Sequence, residues 1–223
     1  MGSEAYIPAL RFHWLTPLYD TVVGAVLRER TLRRLMVEQI DPKPAAQVLD
    51  LGCGTGTLSL LLKKTHPEIQ IVGLDIDPAV LEIARQKQRA SGLDVAFTRG
   101  DIHSLIDEGS FTPNAFDHVV SSFVFHHLSR DQKRRTLDAV LQVLKPGARF
   151  LLVDFGKPAN IFLRAGFFLV QLLDGFARTS DNVRGELPRF VNEAGFVEVS
   201  QGRPFSTALG SVSFISGRKP AAP

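Results

Sequence analysis

A chain of 223 residues has room for one large domain and not for two comfortable ones. Its 44% hydrophobic and 22% charged residues are those of an ordinary globular protein, and a single cysteine excludes a disulfide scaffold or a cysteine-rich zinc module. The net charge of +3 suits an anionic membrane surface or nucleic acid but requires neither.

The segment 1–44 carries a helical pattern around Val22, Val23, Val26, Leu27, Leu32, Leu35 and Met36, with Arg28, Arg30, Arg33 and Arg34 on the other face. Pro42 and Pro44 end it. No apolar signal core precedes it, so no secretory signal is expected, and the lone Cys53 suits a reducing cytosol. Gln47 to Leu51 reads as a buried strand entering a glycine-rich turn, and 57–65 as a helix ended before Pro67. Strands are expected at 69–74, 95–98, 116–121 and 148–154, with helices at 78–90, capped by Asp77 before Pro78, and 130–144. The arginines of the first helix and Lys133-Arg134-Arg135 read as solvated helix faces. Ile161 to Phe176 is apolar nearly all round, interrupted by Arg164, Gln171 and Asp174, and is shorter than the roughly 20 residues that span a bilayer. A polar stretch follows, then a helix from 183 to 194 stopped by Gly195, and final strands at 197–200 and 212–216, close enough for an antiparallel hairpin. Strands alternating with helices predict a doubly wound α/β fold: seven strands, mostly parallel, with helices on both faces.

The chemistry is concentrated in Val48-Leu49-Asp50-Leu51-Gly52-Cys53-Gly54-Thr55-Gly56-Thr57. Alternate glycines between a strand and a helix let the backbone turn sharply, let a ligand approach without a Cβ in the way, and offer free helix amides to an anion. The dinucleotide pattern Gly-x-Gly-x-x-Gly fails from either start, because Thr57 and Ser59 stand where its last glycine would be, and no Gly-Lys-Ser/Thr triplet supports a phosphate loop. In Gly73-Leu74-Asp75-Ile76, Asp75 ends the next strand, where a carboxylate can accept both ribose hydroxyls, and Ile76 can cover an adenine face.

Asp50, Gly52, Gly54 and Gly56 fill an Asp-x-Gly-x-Gly-x-Gly pattern that resembles the first motif of class I S-adenosylmethionine (SAM)-dependent methyltransferases. The likeness is sensible for a ligand with an α-ammonium, a carboxylate and a sulfonium: Asp50 can face the ammonium, and amides near Gly52 and Gly54 the carboxylate. It further implies that Asp101, in Arg99-Gly100-Asp101-Ile102, meets the adenine amino group and Ile102 the ring, and that Cys53 and Ser121 belong to the cofactor-binding set. Phe116 to Leu128, with its His126-His127-Leu128, and Leu144-Lys145-Pro146-Gly147 are similar to the ubiquinone/menaquinone-biosynthesis-like branch, the resemblance covering about residues 45–155.

Methyl transfer from a sulfonium is an in-line displacement driven largely by alignment and exclusion of water, so no catalytic triad is required. His126 and His127, just past the fourth strand, are candidates to act as base or to orient an acceptor hydroxyl, and Asp154, ending the fifth, to bind the acceptor. Tyr19, in a Tyr-Asp pair like one with which this branch closes over its cofactor, is a fourth candidate. No metal site is expected. Residues 157–180, with Phe162, Phe167, Phe168 and Phe176, stand where the family varies its substrate lid.

The expectation is a cytoplasmic SAM-dependent methyltransferase acting on a small lipophilic acceptor, a quinone-type ring carbon or a lipid headgroup amine, with peripheral contact to a membrane surface. Two rivals stand beside it. Nucleic-acid methylation is disfavoured because Ser121-Ser122-Phe123-Val124 replaces an Asn-Pro-Pro-Tyr-type segment, and a SAM-binding regulatory subunit without catalysis is separable only by turnover.

Overall fold

The computed structural model describes residues 28–106 and 111–221. Tyr19 and the first half of the expected N-terminal helix therefore lie outside the described residues. In chain order the elements are α1 (Glu29–Ile40), β1 (Gln47–Leu51), α2 (Thr57–Thr65), β2 (Gln70–Asp75), α3 (Pro78–Ser91), β3 (Ala96–Arg99), β4 (Phe116–Ser122), a short 3-10 turn (Phe125–His127) and α4 (Arg130–Val143). They continue as β5 (Leu144–Phe155), α5 (Ile161–Asp174), α6 (Phe176–Arg184), α7 (Leu187–Glu193), β6 (Val197–Gln201), β7 (Phe205–Thr207) and β8 (Gly210–Arg218).

The sheet runs β3-β2-β1-β4-β5-β8-β6, with the short β7 paired to β8. The first five strands are parallel; β8 enters antiparallel between β5 and β6. The sheet thus has eight strands rather than seven, because Phe205–Thr207 adds one too short to show an alternating pattern. After β3 the chain returns to lay β4 beside β1, so the strand order reverses there and opens a crevice at the carboxyl ends.

Alternation within the strands builds two apolar layers. Leu49, Leu51, Val119, Phe150 and Leu152 face Leu137 and Val140 of α4 and Phe190 and Val191 of α7. Val48, Val120, Leu151 and Val153 face Leu32 and Met36 of α1, Leu58 and Leu62 of α2, and Phe167 and Val170 of α5.

The helices after β5 differ from the expectation. The apolar run is a helix only to Asp174, broken at Gly175 (φ 93°), and 176–184 is a second helix rather than a polar connection. Periodicity misses α6 because its buried residues, Thr179, Asp181 and Asn182, are polar. Gly185 (φ 73°) then separates it from α7, so the expected 183–194 helix begins only at Leu187. Nor is α5 apolar and buried all round. Phe167, Val170 and Gln171 are buried, while Ile161, Phe162, Phe168, Leu169, Leu172 and Leu173 are exposed, Phe162 to 83%.

Candidate active site

Register places the acidic residues along one edge. Asp50 pairs with Gly73 and Leu51 with Leu74 on one side and with Ser121 on the other; Asp75 pairs with Arg99, and Ser122 with Val153. The carboxyl ends of five parallel strands therefore present, in spatial order, Asp101, Asp75, Asp50, Ser121 and Asp154.

On the β1–β3 side the glycine loop is held by its own carboxylates. Asp75 accepts the N–H of Gly54 on Oδ2 at 2.8 Å and that of Asp77 on Oδ1 at 3.0 Å, while Asp77 caps α3 by accepting from Ala79 at 2.8 Å. Burial holds the Asp75 carboxyl above the usual range, against the pull of these N–H groups. Asp75 thus shapes the loop as well as facing the crevice. Lys87 of α3 adds bonds to Thr55 Oγ1 at 2.8 Å and Thr57 Oγ1 at 3.0 Å.

Asp50 is fully buried. Its Oδ2 accepts from Ser59 Oγ of α2 at 2.5 Å, and its Oδ1 has no hydrogen-bond partner among the described residues. Burial, aided by the nearby Asp75, pushes its carboxyl up to about 6 despite the Ser59 bond. A buried carboxylate oxygen without a donor is costly, and a cation placed against it would remove that cost.

The three glycines divide between packing and opening. A Cβ on Gly52 would lie 2.3 Å from Val124 Cγ2, and one on Gly56 2.5 Å from the Phe97 ring, so both are required by neighbouring side chains. A Cβ on Gly54 (φ 52°) would meet nothing within 4 Å, so this is where the loop faces open space. Cys53 is buried, with Sγ 3.8 Å from the Gly54 carbonyl, and burial pushes its thiol up, so it packs and is not reactive.

The remaining residues of the set occupy the same rim. Ile76 and Ile102 are half-buried, and Asp101 turns its own loop by accepting the His103 N–H at 2.8 Å. Ser121 is buried and donates to the Leu51 carbonyl at 3.0 Å, tying β4 to β1 at the switch point.

The β4–β5 side is a charged cluster assembled from four segments. His126 is buried in the 3-10 turn; its Nδ1 lies 2.8 Å from Asp154 Oδ1, and its backbone N–H donates to Asp154 Oδ2 at 3.2 Å. Asn182 of α6 donates to Asp154 Oδ1 at 3.3 Å and to the Phe155 carbonyl at 2.8 Å. Asp174, at the end of α5, stands 3.6 Å from His126 Nε2 and 3.5 Å from His127 Nδ1. Burial works against a charge on His126, but Asp154 and Asp174 outweigh it and raise its pKa. His127 is pushed down to about 2 by burial and then by the neighbouring His126, and burial raises Asp174.

Behind this cluster lies the largest departure from the sequence reading. Lys133 is not on a solvated face but fully buried, with Nζ donating to the Arg178 carbonyl at 2.7 Å, Asn182 Oδ1 at 3.2 Å and Asp181 Oδ2 at 3.4 Å. Arg130 grips Asp181 at 2.5 Å and Glu186 at 2.9 Å. Arg134 and Arg135 do point outward, because a helix carries successive residues to different faces.

Sequence reasoning missed Ser59, Lys87, Asp174, Asn182 and the burial of Lys133. Only Asp174 gave a signal, as an isolated acid in an apolar run, and Asn182 lay in a stretch read as merely polar.

Comparison with known proteins gives the family. A methyltransferase domain family matches residues 48–147. The chain is 36% identical to a demethylmenaquinone methyltransferase of Thermus thermophilus over 152 residues, 66% of this chain and 65% of that one. It is 31% identical to a demethylmenaquinone methyltransferase of Symbiobacterium thermophilum over an alignment of 224 positions, gaps included, that covers 88% of this chain and 86% of that one. The chain belongs to the class I SAM-dependent methyltransferases, in the ubiquinone/menaquinone branch. For fold alone, the solved SAM-dependent methyltransferase of Aquifex aeolicus is similar, with a TM-score of 0.67 at 18% identity, covering 96% of this chain and all of that one.

This methyltransferase uses SAM as methyl donor, and its residues fit that molecule. Asp50 Oδ1, without a hydrogen-bond partner among the described residues, suits an α-ammonium, and the open side of Gly54 admits a ligand close to the backbone. When bound, SAM supplies an electrophilic methyl group.

Proposed function

We propose that the protein methylates a ring carbon of a quinone-type acceptor drawn from a membrane surface. In this reading Asp50, Gly52, Gly54, Gly56 and Asp75 hold the methionine and ribose parts of SAM, while Ile76, Asp101 and Ile102 flank the adenine. His126 and His127, with Asp154 behind them, orient the acceptor's hydroxyl. The observation that carries the acceptor class is α5. Its exposed face from Ile161 to Leu173 bears only Ile, Phe, Ala and Leu, and its last residue, Asp174, faces both histidines at 3.5–3.6 Å.

A greasy surface thus leads straight to the polar cluster, as an acceptor with an apolar tail requires. The relatives named above are demethylmenaquinone methyltransferases, which supports the same chemistry. No helix among the described residues is long and apolar enough to cross a membrane, so α5 meets the bilayer from its surface, in keeping with the net charge of +3. Phe167, expected to line the acceptor, instead packs in the core with its ring 5.0 Å from that of Phe155; Phe162, Phe168 and Phe176 keep the lid role.

The test is incubation with isotope-labelled SAM and vesicles carrying either a demethylated quinol or only aminophospholipid. Label on the quinol ring carbon is expected. Label on the headgroup amine, or none, would refute the acceptor. Phe168→Ala is expected to raise the quinol KM about tenfold, since burying one phenylalanine is worth about 1.5–3 kcal/mol. Phe162→Glu should abolish flotation with anionic vesicles.

A further inference from the structure

His126 and His127 come from one turn and Asp174 from the end of α5, yet their side chains converge. His126 Nε2 lies 3.6 Å from Asp174 Oδ2, His127 Nδ1 lies 3.5 Å from Asp174 Oδ1, and one ligand atom from each of the three residues falls within 4.8 Å of the others. An N–H···O hydrogen bond would be about 2.7–3.2 Å. Two ligands held at about 2.0–2.1 Å by one tetrahedral cation stand roughly 3.3 Å apart, which is nearer the spacing seen.

The far side of His126 is arranged as in metal-binding histidines. Its Nδ1 is engaged by Asp154 at 2.8 Å, and Asp154 is itself fixed by the N–H groups of His126 and Phe155 and by Asn182. The second ring nitrogen, Nε2, is the one turned toward Asp174 and is the atom left to meet a cation.

We propose that His126, His127 and Asp174 form a three-ligand site for a first-row divalent cation. Two imidazoles and one carboxylate favour zinc or ferrous iron over magnesium or calcium, which take all-oxygen sites. Three protein ligands leave a position open to water or to an acceptor oxygen. The side chains of His127 and Asp174, 37% and 22% exposed, give the ion a way in. The inference deepens the proposed function, resting on it for the idea that the acceptor docks at this end of the sheet, with the two histidines orienting the acceptor's hydroxyl through the ion that they hold. Sequence spacing could not reveal it, because the third ligand lies 47 positions beyond His127 in chain order, at residue 174.

The experiment titrates tag-free, chelator-treated full chain with Co²⁺ by visible ligand-field absorption and with Zn²⁺ by calorimetry, and separately with SAM. One cation per chain with a ligand-field band is expected. His127→Ala and Asp174→Asn, substitutions on two different elements, should each weaken binding at least tenfold while SAM affinity stays within twofold. No band and no Zn²⁺ heat in the unsubstituted chain, or binding unchanged in both variants, overturns the site. Cation binding without SAM binding would instead sink the cofactor reading and leave this one standing.

Discussion

The two ends of the crevice are built on opposite plans. Around β1–β3, the Asp75 carboxylate is satisfied by backbone N–H groups of the loop that it shapes and of the turn after it, while Asp50 has a hydroxyl nine residues along the chain on one oxygen and no hydrogen-bond partner among the described residues on the other. Around β4–β5, Asp154 meets His126 and Asn182, each 28 residues away, and Lys133 reaches across 45–49 residues to α6. The first plan ties the glycine loop to the strand and helix that follow it, β2 and α3; the second makes the charged cluster depend on how α4, α5 and α6 dock.

The largest effect should come from the long-range half. Lys133→Ala removes the buried cation from Asp181 and Asn182, and breaking a buried pair in this way costs about 3–5 kcal/mol. Urea unfolding measures it, and a loss below 1 kcal/mol would mean that Arg130 alone holds Asp181. Lys133→Met, which keeps the volume, should cost less because it leaves no cavity at this buried position.

In the local half, Asp50→Asn should weaken SAM binding by about 1.5–3 kcal/mol near pH 8, the worth of a charge-assisted hydrogen bond. The dependence on pH is more diagnostic. Asp50 titrates at about 6, so below that pH SAM binding must displace its proton. Affinity should fall toward tenfold per pH unit below about 6 and stay level above it, and the Asn variant should show no such slope. Folding has the opposite sign. A carboxyl raised in the folded state stabilises it most below the unfolded pKa, and this contribution is lost as pH rises through about 6. A slope that survives in Asp50→Asn would detach Asp50 from the ammonium.

The smallest contrast lies within the loop itself. Gly56→Ala drives a Cβ into Phe97 and Ala84 and should cost about 1–3 kcal/mol of stability. Gly54→Ala meets no side chain and should cost only about 1–2 kcal/mol from its positive φ, yet lower SAM affinity at least tenfold. Equal loss of SAM affinity in both would show that the loop works as a unit.

Residues near one another in the chain decided what was legible. The order of strands and helices up to β5, the Asp77 cap and the glycine turn follow from patterns a few residues long, as do the acidic strand ends. From them came the parallel sheet, the crevice at its carboxyl edge and the family. Tertiary structure alone decided which glycine faces open space, that Asp75 braces the loop, that Phe167 is core while Phe168 is surface, and that Lys133 is buried. It also decided that α6, whose inner face is polar, is a helix at all, and that Asp174 meets the two histidines. Hydrophobic periodicity reports only burial of apolar groups. A polar residue is buried for the sake of a partner, and where that partner lies far along the chain, only the fold brings the two together.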